Sequence, residues 1–335
     1  MKRLTLLAFL SGLFLASLLI AYSGASEVMQ AVADTGWAAL VVVLARALAI
    51  VVDGIAWRFL FPRGQRPRAS LCVFVRWVRE AVNQLLPVAQ VGGDFVGARL
   101  LTFWRVNGAL AGASVIVDIA IQAASQFAFA AFGIGILFIL NGDSPLVHYA
   151  AGGMLVAALA LSGFFFVQRQ EGSRIIGALL QRLAGGREWL GVGAVERLYE
   201  RMGAIYANPR GVAAAAVIHM AVWFFGAIEV WVVLHAMGYP VSFAEAVVIE
   251  SLGQAVRGAA FAVPGGIGVQ EGGFIALCAL FGVPPGPALA LSLVKRVPDL
   301  VLGLPGLLAW QSLEGRRIFG ERTRPDDAIG ATGGR

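Results

Sequence analysis

Charge is scarce in this sequence. Asp, Glu, Lys and Arg together supply 14% of its 335 residues, against about one quarter in a soluble domain. Hydrophobic residues supply 59%, and the mean hydropathy is +0.78. That balance excludes an ordinary water-soluble globule. Cysteine is nearly absent: Cys72 and Cys278 both sit in apolar surroundings, where a thiol packs as a small hydrophobe, so no disulfide framework is expected. The three histidines, His148, His219 and His235, have no ligand spacing, so neither a metal nor a cofactor is expected. There is no phosphate loop, no acidic cluster for a nucleotide sugar and no nucleophile–base pair, so an enzyme is not expected. Lys and Arg are missing altogether from the stretches 23–36, 141–147, 237–242 and 282–286.

What is present is a series of long apolar runs, at 4–22, 37–60, 107–140, 149–167, 211–236 and 287–313, which predict about six spanning helices of an all-α polytopic membrane protein. The first follows Lys2 and Arg3 but exceeds the roughly 7–15 apolar residues of a signal peptide, so it reads as an uncleaved helix. Residues 23–36 read as a loop. Arg46 and Asp53 lie seven apart on one helical face, where an internal ion pair is expected. The run 107–140, at about 1.5 Å per residue, exceeds a bilayer core of about 30 Å, so a tilt or a bend near Gly133 and Gly135 is expected. Ser114, Asp118, Gln122 and Gln126 recur every four residues as a polar stripe that faces the bundle interior, as glue or as lining. Glu229 lies inside the fifth run, and Lys295, Arg296 and Asp299 lie inside the last.

Two further segments are apolar but interrupted. At 244–281 the break reads Val-Pro-Gly-Gly-Ile-Gly-Val-Gln-Glu-Gly-Gly, from Val263 to Gly273, and contains Pro264, Gly265, Gly266, Gly268 and Glu271. At 71–106 the break contains Asn83, Pro87, Gly93 and Asp94. In each, the proline precedes the acid by seven positions. Proline lacks a donor and glycine tolerates non-helical dihedrals, so both helices stop there. Broken backbone at membrane depth must be buried in protein or line a wet cavity, and a carboxylate beside it is a functional candidate. On the arm before the second break, Glu250, Gln254 and Arg257 share one face. A re-entrant hairpin fits each segment.

The basic stretches alternate with those that lack Lys and Arg if both interrupted segments return to their starting side. By the positive-inside rule both termini are then cytoplasmic. The arginines therefore mark topology and contact anionic headgroups, which disposes of nucleic acid as a partner despite the net charge of +6. The stretch 168–210, with Arg169, Arg174, Arg182, Arg187, Arg197, Arg201 and Arg210, is expected to be a basic amphipathic segment on the cytoplasmic membrane surface. It joins two pseudo-inverted halves, about 37–167 and 211–313, of a single membrane domain (1–313), and 314–335 is expected to be a disordered tail. Inverted, interrupted segments point to a transporter-type site.

The motifs at 83–94 with Arg99, and at 264–271, resemble the flippase-like membrane domain of lysylphosphatidylglycerol synthases in its stand-alone form. Asn83, Leu86-Pro87, Gly93 and Arg99 match the pattern of the first half, with Asp94 in place of a glutamate. Pro264, Gly265-Gly266, Gly268 and Glu271 match that of the second. The stretch 83–94 is similar to the branch associated with hopanoid biosynthesis. The resemblance covers roughly residues 4–313. It implies a multi-pass protein of the bacterial inner membrane that binds or translocates a hopanoid, a phospholipid or a polyprenyl-linked lipid between leaflets. It does not imply aminoacyl transfer, for which the synthases use a separate soluble domain not expected here. The alternatives are a non-catalytic scaffold that docks lipid-biosynthesis enzymes and a polyprenyl-linked glycosyltransferase.

On the transporter reading, the candidate substrate-binding residues are Asn83, Pro87, Gly93, Asp94, Arg99, Asp118, Glu250, Arg257, Pro264, Gly265, Gly266, Gly268, Glu271, Lys295, Arg296 and Asp299. Asp94 and Glu271 are expected to face one central cavity with Arg99, Arg257 and Arg296 nearby. The competing expectation is that each acid only caps the helix that follows it.

Overall fold

The computed structural model describes residues 25–86, 91–141, 145–168, 192–260, 263 and 266–322. The regular structure among them is all helical, so the chain is an all-α polytopic membrane protein. Its helices are α1 (Ala25–Thr35), α2 (Ala38–Phe59), α3 (Ala69–Leu85), α4 (Gly92–Phe103), α5 (Gly108–Asn141), α6 (Pro145–Val167), α7 (Val192–Tyr206), α8 (Pro209–Ala236), α9 (Phe243–Ala259), α10 (Val269–Ala279), α11 (Pro285–Val294), α12 (Val297–Val301) and α13 (Gly303–Arg322).

Four of these, α2, α5, α6 and α8, are long and apolar enough to cross a bilayer. Their polarity is arranged for lipid. Leu40, Leu44, Leu48, Val51 and Ile55 form an exposed apolar stripe along α2, while Asp53 on the same helix is buried. On α6, Tyr149, Leu155, Val156, Leu159 and Phe166 are all exposed.

The two breaks each produce a helical hairpin. In the first, α3 packs on α4. Leu86, just before Pro87, is extended with φ −103° and ψ 146°, the conformation a following proline imposes. In the second, α9 packs on α10. A capping box between Ser242 and Glu245 starts α9. After Ala260 the chain turns through Gly266 and Gly268, at φ +62° and +82°, a region that glycine enters at no steric cost.

Two apolar cores lie at opposite ends of the bundle. One gathers Ala38 and Val42 from the start of α2 with Val230, Val233 and Leu234 from the end of α8, and it takes in Ala246, Val248 and Ile249 of α9. The other gathers Trp57 and Leu60 from the end of α2 with Ala215 from the start of α8, and it takes in Cys72, Val75 and Val78 of α3. The two hairpins therefore start from opposite ends of the bundle. The C-terminal ends of α3 and α9 approach one another between the cores, joined by a hydrogen bond from Arg257 to Gln84.

The structure alters several expectations. The loop at 23–36 is helical over 25–35, because α1 has a face to bury: it packs on α11, and Thr35 is buried. The last run, 287–313, is not one span but three helices. Pro298 has no N–H to give back to Val294, and the chain resets at Lys295–Arg296 and again at Leu302. α5 continues as one helix through Gly133 and Gly135. Gly133 serves packing instead: a Cβ there would stand 1.8 Å from Ser251 Oγ on α9. Of the basic stretch 168–210, residues 169–191 lie outside the described residues. The part at α7 packs on α5, burying Met202 and Ile205 in the core. The first apolar run, 4–22, also lies outside the described residues.

Candidate functional site

Charged groups are rare in this chain, yet many of them are buried together. A cavity of about 230 Å³ opens between the two cores, half way along α2 and α8. Its walls come from α2 (Arg46, Asp53), α3 (Arg76, Glu80, Asn83, Gln84), α5 (Gln122, Gln126), α8 (His219, Trp223, Gly226, Glu229) and α9 (Glu250, Gln254, Arg257). α2, α5 and α8 place these residues along their middle turns, and α3 and α9 place theirs from mid-helix to the C-terminal end that leads to the break. That is why the polar zone sits between the cores and not at a surface.

On one side of the cavity, two arginines from α3 hold four carboxylates, those of Asp53, Glu80, Asp94 and Asp118. Arg76 donates to Asp53 Oδ2 at 3.0 Å and to Gln122 Oε1 at 2.9 Å. Arg79 donates to Asp118 Oδ2 at 2.9 Å and to Asp94 Oδ1 at 2.6 Å. His219 lies between Asp53 and Asp118, its Nδ1 2.8 Å from Asp53 Oδ1 and its Nε2 3.1 Å from Asp118 Oδ1. The imidazole thus bridges two carboxylates from different helices, one through each ring nitrogen. On the other side, Lys295 Nζ lies 2.7 Å from Glu229 Oε2 and 3.0 Å from Glu250 Oε2, and Arg46 lies 3.5 Å from Glu229. Gly226 makes room for this group, since a Cβ there would stand 2.2 Å from Glu250 Oε1. Isolated, any of these charges would be expensive at this depth, and each is compensated by a partner.

The sequence motifs find clear local roles. Asn83 Oδ1 accepts the N–H of Gly93 at 2.7 Å, tying the end of α3 to the start of α4. A Cβ on Gly93 would stand 2.1 Å from the Arg79 carbonyl, and one on Gly97 would stand 2.5 Å from the Arg79 side chain. The two glycines are the channel in which Arg79 lies on its way to Asp94 and Asp118. Glu271 Oε2 accepts the N–H of Gly268 at 2.6 Å at the start of α10, and its Oε1 accepts from Arg296 Nε at 2.8 Å.

The structure separates residues that the sequence grouped. Asp94 and Glu271 do not share the cavity: Asp94 is enclosed by Arg79 and Asn83, and Glu271 by Gly268 and Arg296. Arg99 is exposed at the bundle surface, paired with Glu314 at 2.7 Å. Arg46 and Asp53 do not pair with each other. Each is claimed by a partner from another helix, Glu229 for Arg46 and Arg76 for Asp53. Asn83, Glu250 and Arg257 do line the cavity. Asp118 and Lys295 stand one side chain behind it, and Asp299 lines a small adjoining cleft with Arg46 and Glu80. Pro87, Pro264 and Gly265 lie outside the described residues.

The cavity also contains residues outside the candidate set: Glu229, noted only as an acid inside a spanning run, Gln84, within the 83–94 motif, and Arg76, Glu80 and His219, with Arg79 behind them. The signal that finds them is an ionisable side chain inside a helix of membrane length or in an arm leading to a break. Among the described residues no three His, Cys, Asp or Glu side chains are arranged to hold a metal ion.

These features define a class: a multi-pass helical membrane protein with two interrupted helical hairpins around a buried, charge-lined cavity. The chain belongs to the family of the lysylphosphatidylglycerol synthase transmembrane region, whose model matches residues 8–306. It is 26% identical over 317 residues to a UPF0104 membrane protein of Methanothermobacter thermautotrophicus, with 89% of each chain covered. No solved structure matches it significantly.

Proposed function

We propose that this protein moves an amphipathic lipid between membrane leaflets, the headgroup passing through the central cavity while the apolar chains stay in the bilayer. The observation that carries this reading is the position of the cavity: polar walls half way along the spanning helices, between two apolar cores, inside a bundle whose outer surface is apolar. A headgroup that must cross about 30 Å of hydrocarbon needs such a polar stopping place. The approach of two hairpins from opposite ends supports pseudo-inverted halves and alternating access around one site. The complete sorting of Lys and Arg supports cytoplasmic termini in a bacterial inner membrane. The motif at 83–94 brings a hopanoid into consideration beside phospholipids and polyprenyl-linked lipids. No chemistry is assigned to the site, since its described lining residues include no Ser, Thr, Cys or Lys to serve as a nucleophile.

The test is a leaflet-resolved assay in proteoliposomes with headgroup-labelled phospholipid, polyprenyl phosphate and a hopanoid, each quenched from outside. The expected result is exchange of at least one lipid faster than in protein-free vesicles. Rates equal to protein-free vesicles for all three lipids would remove the translocase reading and favour a scaffold for lipid-synthesis enzymes.

A further inference from the structure

The cations around the cavity are not equivalent. Arg46 is paired with Glu229, Arg76 with Asp53 and Asp118, Arg79 with Asp94 and Asp118, and Lys295 with Glu229 and Glu250. Arg257 is different. It is 9% exposed and lines the cavity, and among the described residues no carboxylate lies within 4.0 Å of it. Its one hydrogen-bond partner among them is Gln84, a neutral amide that in turn donates to Glu80 at 2.8 Å. A guanidinium has five N–H donors in a planar fork, and one amide oxygen satisfies one of them.

The backbone holds this side chain in place. Gly266, in the turn after α9, has φ +62°, and a Cβ there would stand 3.3 Å from Arg257 Cγ. The turn thus closes over the arginine stem. Arg257 sits on the last turn of α9, where the negative end of the helix dipole offsets part of its charge. What remains is a buried cation that lines an open cavity of about 230 Å³.

Resting on the translocase reading above, we infer that the cavity binds a phosphate-bearing headgroup, with Arg257 as its anchoring cation. A phosphate matches the guanidinium fork in a bidentate manner and takes up donors that an uncharged polyol would leave unsatisfied. Gln84 and Gln254 flank the same space and supply amide donors and acceptors to the headgroup beyond the phosphate. The substrate class narrows accordingly to anionic phospholipids or polyprenyl phosphates, and away from uncharged hopanoid polyols.

The experiment uses the purified full chain in neutral detergent. Binding of phosphatidylglycerol, of phosphate-free diglucosyl diacylglycerol and of inorganic phosphate alone is followed by native mass spectrometry and by the shift in melting temperature. Wild type should bind phosphatidylglycerol saturably and bind the glycolipid far more weakly. Arg257→Gln should weaken phosphatidylglycerol binding about 10- to 100-fold, the loss expected for one hydrogen bond to a charged group. Arg257→Lys, which keeps the charge but not the fork, should lose less. Both variants should elute as the wild type does, and the wild-type comparison of lipids stands even if a variant does not fold.

Equal wild-type binding of the glycolipid and phosphatidylglycerol, with Arg257→Gln unchanged, would overturn the phosphate inference and leave the lipid reading intact. Protection by inorganic phosphate as strong as by phosphatidylglycerol would keep the anion site and reassign it to a soluble phosphorylated ligand. Binding of none of the three would overturn the inference; the leaflet assay would then decide the translocase reading separately.

Discussion

Lys295 stands between Glu229 and Glu250, 2.7 Å from one carboxylate and 3.0 Å from the other. The three residues come from α11's C-terminal end, α8 and α9, so one ammonium group joins three helices. Lys295→Met would leave two buried carboxylates with Arg46, at 3.5 Å from Glu229, as the remaining cation. Loss of a buried partner of this kind costs about 3–5 kcal/mol. The expected outcome is a large fall in melting temperature in detergent, partly restored by adding Glu250→Gln. A melting temperature unchanged in Lys295→Met would show that the pair does not carry packing.

His219 bridges Asp53 on α2 and Asp118 on α5. His219→Ala removes the ring that bridges the two carboxylates and leaves them facing each other, and Asp53→Asn in the same chain removes one of the two acids. The double variant should be more stable than the sum of the single variants predicts, by a coupling of about 0.5–3 kcal/mol. A thermal-melt double-mutant cycle measures it, and strict additivity would place the two side chains out of contact.

Gly93 and Gly152 offer a matched pair. A Cβ at Gly93 meets the Arg79 carbonyl at 2.1 Å, whereas one at Gly152 on α6 meets nothing within 4 Å. Gly93→Ala should destabilise by about 1–3 kcal/mol through overpacking, with Arg79 displaced from Asp94. Gly152→Ala should be neutral or slightly stabilising. Equal behaviour of the two in a melting assay would contradict the close approach of α3 and α4.

Arg99 matches a family motif position but is exposed and paired with Glu314. Exposed pairs contribute about 0–1 kcal/mol. Arg99→Ala should therefore change melting little and leave lipid exchange at its wild-type rate. A strong loss of exchange with unchanged stability would return Arg99 to the site.

Orientation is tested with single cysteines in a background lacking Cys72 and Cys278, which are both buried. Ser26→Cys and Ser144→Cys should react with an impermeant thiol reagent from outside intact cells, and Ala69→Cys and Ala184→Cys should not. Labelling of Ala184→Cys from outside would reverse the assigned topology.

The sequence by itself determined the membrane class, the long apolar helices and the two breaks. These are one-dimensional properties: run length, the absent N–H of proline and the freedom of glycine act on the chain locally, wherever it sits. It also marked Asn83, Gly93, Gly268 and Glu271, which close their hairpins through the local bonds Gly93 N–H to Asn83 and Gly268 N–H to Glu271, while the bond from Arg296 to Glu271 comes from outside the hairpin. Partner choice was not legible. Arg46 and Asp53 share a helical face, yet each pairs across helices, because a charge in a low-dielectric interior takes the closest compensating group and spacing along one helix does not reveal it. The division of the final run into three helices, and the place of Arg257 as a cavity cation with Gln84 from the other hairpin as its partner, were decided by tertiary structure. Residues 173 positions apart meet only when two hairpins enter from opposite ends of one bundle.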